Sequence, residues 1–226
     1  MILQKRLFLL WLGLSIFTMN AAAQQPRPTP TVNPVEIENA QTGTRDWQIP
    51  DSRGATNREI EGYPSATSVN IGDTIQFYVN VATQQTVNID IYRMGFYGGL
   101  GGRYITTKTG TATPQTLPDA DYTTGLIECN WTANPAFSWT VPTTAVSGVY
   151  IAKLVGTARD SYIVFIVRDD ARTSDIITQI AVTTYQAYNV YPGFIGVDSW
   201  KNGRSLYVGI QPLPKVPQNA LSIYQS

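Results

Sequence analysis

Residues 74–81 read TIQFYVNV, with Ile75, Phe77, Val79 and Val81 alternating with Thr74, Gln76, Tyr78 and Asn80. An apolar side chain at every second position marks a strand with one face on a core and the other turned outward. The same period continues in TVNIDIY, where Val87, Ile89 and Ile91 share a face. Two later runs, GVYIAKLV at 148–155 and SYIVFIV at 161–167, are apolar on both faces, as central strands tend to be. Turn formers stand between the runs at Gly72-Asp73, in a glycine cluster after Met94, and at Ser147-Gly148. Short strands punctuated in this way, with no convincing helical period, predict an immunoglobulin-like antiparallel β-sandwich over residues 35–170. Tyr150, two residues after Gly148, suits the strand whose tyrosine hydroxyl ties a corner to backbone.

Upstream of the sandwich, Lys5 and Arg6 precede an apolar stretch from Leu7 to Phe17 and the small-residue exit Ala21-Ala22-Ala23. This is the pattern of a secretory signal peptide over residues 1–23, and it predicts a secreted or periplasmic protein. The apolar stretch is far shorter than the roughly 20 residues a membrane helix needs, so no membrane span is expected. Residues 24–34, QQPRPTPTVNP, hold four prolines and almost nothing to bury, and read as an extended linker.

Composition excludes several function classes. Removing residues 1–23 takes away two of the 16 basic residues and none of the 16 acidic ones, leaving a net charge of −2. There is no basic stripe of the kind that nucleic acid attracts, so no nucleic-acid partner is expected. The chain has no histidine and one cysteine, Cys129. A lone cysteine closes no internal bridge, and without histidine to activate it a buried structural thiol is the expectation.

Downstream, RDDARTSD at 168–175 concentrates five charges in eight residues and reads as a domain boundary. Ile176 to Val182 is mostly apolar and leads into a polar loop, which predicts the opening strand of an α/β domain over 171–226. Only 44 residues follow Val182, too few to finish such a domain.

Three stretches are candidates for function. IDIYRMGFYGGLGGR at 89–103 holds five glycines but lacks GK[ST], G-x-G-x-x-G and a following helix, so a tight turn packed under Tyr92, Phe96 and Tyr97 is expected rather than a phosphate loop. LIECNWTANPAFSWTV at 126–141 offers Trp131 and Trp139, which either stack on a sugar or fill a core, and the acceptor pattern Asn130-Trp131-Thr132. TTYQAYNVYPG at 183–193 carries three tyrosines. A phenol is a poor base at neutral pH, leaving hydrogen-bond donation, a wall, or, on a strongly Lewis-acidic metal, an oxygen ligand.

Six ordered blocks, EGYPSATSVNIGDTIQFYVNV, IDIYRMGFYGGLGGR, LIECNW, SGVYIAKL, YIVFIVRDD and VTTYQAYN, together resemble the large (beta) subunit family of N,N-dimethylformamidase, in its N-terminal part only. The resemblance runs from about Ile37 to Asn189. It implies a β-sandwich followed by a larger α/β catalytic domain related in fold to glutamine amidotransferases, and hydrolysis of an amide C–N bond at an iron held by two tyrosines and a glutamate. By that resemblance Tyr185 or Tyr188 is the candidate for one iron ligand, with the second tyrosine and the glutamate expected farther along.

Family members continue after a GGxSLY-like segment, whereas here NGRSLY at 202–207 leads into a short tail without clear period. The expectation is therefore a truncated, exported, amidohydrolase-like chain that binds no iron stably and lacks catalytic competence by itself. Its partners would be other domains or subunits of a larger amidohydrolase. The alternative is a secreted sandwich module binding carbohydrate or a surface polymer through Trp131 and Trp139.

Overall fold

The structure, a computed structural model, describes residues 33–116, 129–174 and 176–181. It opens with a short helix, α1 (Pro34–Asn39), whose start is written in the sequence: the Asn33 side-chain oxygen accepts the Val35 N–H at 3.0 Å. Pro34 fills the first helical position, where its missing donor costs nothing. Eight strands follow: β1 (Ile60–Pro64), β2 (Ser68–Asn70), β3 (Thr74–Val81), β4 (Gln85–Met94), β5 (Gly102–Ala112), β6 (Ser138–Thr140), β7 (Gly148–Val155) and β8 (Asp160–Arg168). They form two sheets, β1-β3-β6 and β2-β8-β7-β4-β5. Every named pairing is antiparallel except β2 with β8, which is parallel. The fold is thus a mainly-β sandwich with one mixed sheet.

The alternation in TIQFYVNV is realised as predicted. Ile75, Phe77, Val79 and Val81 are buried in the core between the sheets, and Val87, Ile89 and Ile91 of β4 meet them from the other side. Phe77 meets Phe165 of β8 edge-on at 5.4 Å, and Trp139 and Tyr150 extend this aromatic seam. Such edge and tilted contacts suit the ring quadrupoles. The Tyr150 hydroxyl donates to the Val146 carbonyl, four residues upstream, at 2.8 Å, making the expected corner.

The double-faced runs of β7 and β8 have a second covering layer to thank. On the outer face of the five-stranded sheet, Ile151 pairs with Val164 and with Tyr92, and all three are buried. Residues 44–50 strap across this face. Thr44 bridges to Gly102, the Lys153 ammonium donates to the carbonyls of Asp46 (2.7 Å) and Gln48 (3.2 Å), and the Tyr162 hydroxyl donates to that of Trp47 (2.7 Å). Trp47 lies so close over β5 that a Cβ on Gly102 would stand 2.7 Å from its ring. Past the strap, the Arg53 guanidinium clasps both oxygens of Asp160 at 2.8 and 2.6 Å.

The glycine cluster is the predicted tight turn. Gly98, Gly99 and Gly101 have φ of 65°, 88° and 88°, a region that a Cβ disfavours. Tyr97 is buried beneath it, but Phe96 is 70% exposed rather than packed. A second expectation fails in the described residues: 176–181 form no strand, and Ile176 and Ile177 are 81% and 91% exposed. An apolar run becomes a strand only where a sheet edge pairs it, and residues 176–181 pair with none of the described strands. Val182 and the rest of the expected α/β segment lie outside the described residues.

Candidate functional site

Tyr185 and Tyr188, the candidate iron ligands, lie outside the described residues. Among the described residues, ionisable groups gather at two places.

The first lies beneath the glycine turn. One Glu38 oxygen accepts from the Tyr97 hydroxyl at 2.7 Å and from Arg103 Nε at 2.6 Å, and the other accepts from the second Arg103 nitrogen at 3.0 Å. Arg93 donates to the Tyr97 hydroxyl at 3.0 Å and to the carbonyls of Val146 and Ser147 at 3.2 and 2.9 Å. Asn39 closes the arrangement by accepting the Phe96 N–H at 2.8 Å. Burial pushes the Glu38 carboxyl up, but hydrogen bonds from Arg103 and Tyr97 and the two guanidinium charges outweigh it, so the group is held below the usual carboxylate value. Tyr97 is pushed up by burial and by its bond to Glu38. The arrangement is a saturated ion network that fixes the turn to α1. Its donors are already engaged on Glu38 and backbone carbonyls, which bears out a structural glycine loop over a phosphate cradle.

The second lies on the outer face of the small sheet. Glu61 and Asn80 are cross-strand partners in β1 and β3, and Asn80 Nδ2 donates to Glu61 at 2.8 Å while Arg58 bonds it at 3.2 Å. Here burial dominates and raises the Glu61 carboxyl, with Asn80 and Arg58 offsetting only part of it. Beside it Tyr63 stacks on Tyr78 with centroids 4.9 Å apart, and its hydroxyl accepts the Trp131 N–H at 3.1 Å. Burial pushes the Tyr63 phenol up to about 12. Cys129 is buried and forms no disulfide, as expected.

Trp131 and Trp139 do not form a sugar platform. They are 5% and 4% exposed. Trp131 packs on Tyr63 at 5.1 Å and donates its indole N–H to the Thr116 carbonyl at 3.0 Å, and Trp139 sits in the Phe165–Tyr150 seam. A ring buried on both faces has no surface to offer a pyranose, so these tryptophans serve the core.

The described residues do not fit the iron implied by the family resemblance. Among them no three of histidine, cysteine, aspartate and glutamate converge. The one close tyrosine–glutamate pair, Tyr97 with Glu38, is flanked by the guanidiniums of Arg93 and Arg103, which repel a cation.

Sequence reasoning missed Glu38, Arg93, Arg103 and Asp160. The available signal was a charge set within or at the end of an apolar run, which a folded chain tolerates only when it is paired.

The family model described as N,N-dimethylformamidase beta subunit-like, C-terminal, matches residues 88–223. The sequence reading placed the resemblance in the N-terminal part of the family; the match begins inside β4 and carries the C-terminal description, which corrects that placement. No curated protein matches. Two solved structures are similar over about half of the chain. One is an uncharacterized protein from Bacillus anthracis str. Ames, at 13% identity over 51% of this chain and 84% of that one, with a TM-score of 0.32. The other is the alkylpurine DNA glycosylase AlkC of Pseudomonas fluorescens, bound to DNA containing an abasic site analog, at 12% identity over 49% and 30%, with a TM-score of 0.29. Likeness at these scores bears on neither fold nor function. The family match, by contrast, takes in more than half of the chain, both the later sandwich strands and the tyrosine-rich segment, and on that ground the chain belongs to the N,N-dimethylformamidase beta subunit-like family.

Proposed function

We propose that this is an exported member of the family whose sandwich is a structural platform, and that residues 24–226 alone hydrolyse no amide. The supporting observation is the distribution of glutamate. The chain has five, at positions 36, 38, 59, 61 and 128, and none accompanies Tyr185 and Tyr188 in the segment that follows the sandwich. Glu38 and Glu61 are held in internal networks, and Glu59 accepts the amides of Thr56 and Asn57 at 3.0 and 2.8 Å. Iron bound by oxygen donors needs several ligands in fixed geometry with supporting hydrogen bonds. In this reading Tyr185 or Tyr188 supplies one of those ligands, and other domains or subunits of a larger amidohydrolase supply the rest. Export rests on the charged, apolar and small-residue pattern of residues 1–23.

The test is to purify residues 24–226, load them with ferrous and ferric iron, remove loose metal, and measure iron per chain and dimethylamine release from dimethylformamide. The expected result is sub-stoichiometric iron and no turnover. Stoichiometric iron with turnover would overturn the proposal.

A further inference from the structure

In the acceptor pattern Asn130-Trp131-Thr132, the fold makes use of the middle residue. The Trp131 ring is buried against Tyr63, its indole N–H donates to the Thr116 carbonyl at 3.0 Å, and its backbone N–H donates to the Tyr63 hydroxyl at 3.1 Å. The residues on either side, Asn130 and Thr132, are both exposed. Thr132 is held through its backbone, whose N–H donates to the Gln115 side-chain oxygen at 3.1 Å. Among the described residues neither the Asn130 carboxamide nor the Thr132 hydroxyl forms a hydrogen bond. Asn130 has φ of 46°, a left-handed turn that asparagine enters more readily than most side chains. Turn geometry therefore accounts for an asparagine at 130, but it does not account for a hydroxyl two residues later. Ala133, Pro135 and Ala136 beyond it are exposed as well, which leaves room for a bulky substituent.

We infer that Asn130 is the acceptor of an N-linked oligosaccharide. Of all the asparagines in the chain, only Asn130 has serine or threonine two positions on, with no proline between, so a single glycan is expected. The inference rests on the export reading, because such glycans are added to chains entering a secretory compartment and sit on their surfaces. The donor is an oligosaccharide carried on a lipid diphosphate. The Asn130 side-chain nitrogen forms a bond to the first sugar carbon, and the bond from that carbon to the diphosphate oxygen breaks. The electron pair leaves on the lipid diphosphate, and one amide proton passes to a base of the transferase. The Thr132 hydroxyl is the group by which the acceptor is recognised. The inference is independent of iron or amide hydrolysis.

The test produces the full chain, residues 1–226, in a secretory host that carries an oligosaccharide transferase, with Asn130→Gln and Thr132→Ala beside it. Both substitutions change exposed side chains, and Thr132→Ala leaves the asparagine and its turn in place. The natural chain should be heavier by one oligosaccharide. Peptide N-glycosidase should abolish the shift and leave aspartate at position 130 in the mass spectrum. Both variants should lose the shift while keeping the thermal transition of the deglycosylated natural chain. An exported chain with residues 1–23 removed and Asn130 unmodified would overturn the inference and leave export standing. A chain kept inside the cell with residues 1–23 in place would overturn export, and the inference with it. A shift that survives Thr132→Ala, or a glycan on another asparagine, would overturn the assignment of the acceptor.

Discussion

The Tyr97 hydroxyl donates to Glu38 at 2.7 Å across 59 residues of sequence, so the first helix and the glycine turn are held by one carboxylate. Removing that carboxylate leaves Arg103 and the Tyr97 hydroxyl without their acceptor. Glu38→Ala should lower stability by roughly 2–4 kcal/mol, the range for breaking a partly buried pair. Urea unfolding followed by tryptophan fluorescence measures it as a lower midpoint at unchanged slope.

Glu38 and Glu61 should give opposite pH trends. Glu38 is held below its ordinary value of 4.5, so its contribution is present above that pH and lost as pH falls through the lower, folded value. Glu61 is raised above 4.5, so its contribution is present below that pH and lost as pH rises through the higher, folded value. The stability lead of the natural chain over Glu38→Gln should therefore grow as pH rises towards and past 4.5, while its lead over Glu61→Gln should shrink from 4.5 upward. Parallel melts between pH 3 and pH 8 would show the two trends, and the same sign for both would contradict the assigned environments.

Trp131→Ala and Trp139→Ala should each cost about 3–5 kcal/mol, as large aromatics leaving a packed core do. The natural protein should show no signal on a glycan array. Binding that vanished in a variant of unchanged stability would restore the sugar-platform reading.

Gly102→Ala should destabilise by roughly 1–3 kcal/mol, because its Cβ drives Trp47 off the sheet. Gly98→Ala meets open space and carries only its backbone cost, about 1 kcal/mol for a left-handed φ. Thermal unfolding of the two variants should rank them in that order.

Arg53 and Asp160 should couple by roughly 1.5–3 kcal/mol in a double-mutant cycle with alanine, as a charged, doubly hydrogen-bonded pair with one buried partner does. A coupling near zero would show that the clasp contributes nothing beyond its geometry.

Much of this fold was legible because its signals are local. TIQFYVNV announced its core face through period two, and Tyr150 announced its corner through its place after Gly148. What escaped notice is non-local. GRYITTKTGTA reads as polar, yet it forms the edge strand β5, where Thr107 donates to Asp90 at 2.5 Å and Thr109 to Asn88 at 2.8 Å. No spacing in the sequence shows that residues 44–50 cross a sheet in which two of the five strands come from residue 148 onward. Nor does it show that β2 pairs in parallel with β8, because both depend on which distant groups meet. The tryptophans stayed open between sugar stacking and core for a related reason: sequence shows that a ring is present, and only packing shows whether its faces are spent. Tyr185 and Tyr188 were legible only by family resemblance.

The clasp between Arg53 and Asp160 joins residues 107 apart in the chain, and the strap closes over strands synthesised long after it. Closing so long a loop is slow and is rewarded only at the end. In a chain delivered from its N-terminus, the strap waits for Lys153 of β7 and Tyr162 of β8, and Arg53 waits for Asp160. The same distant contacts that lock the finished sandwich therefore keep the growing chain loose, so that the molecule sets its own timetable: the sandwich stays open until its last strands have arrived.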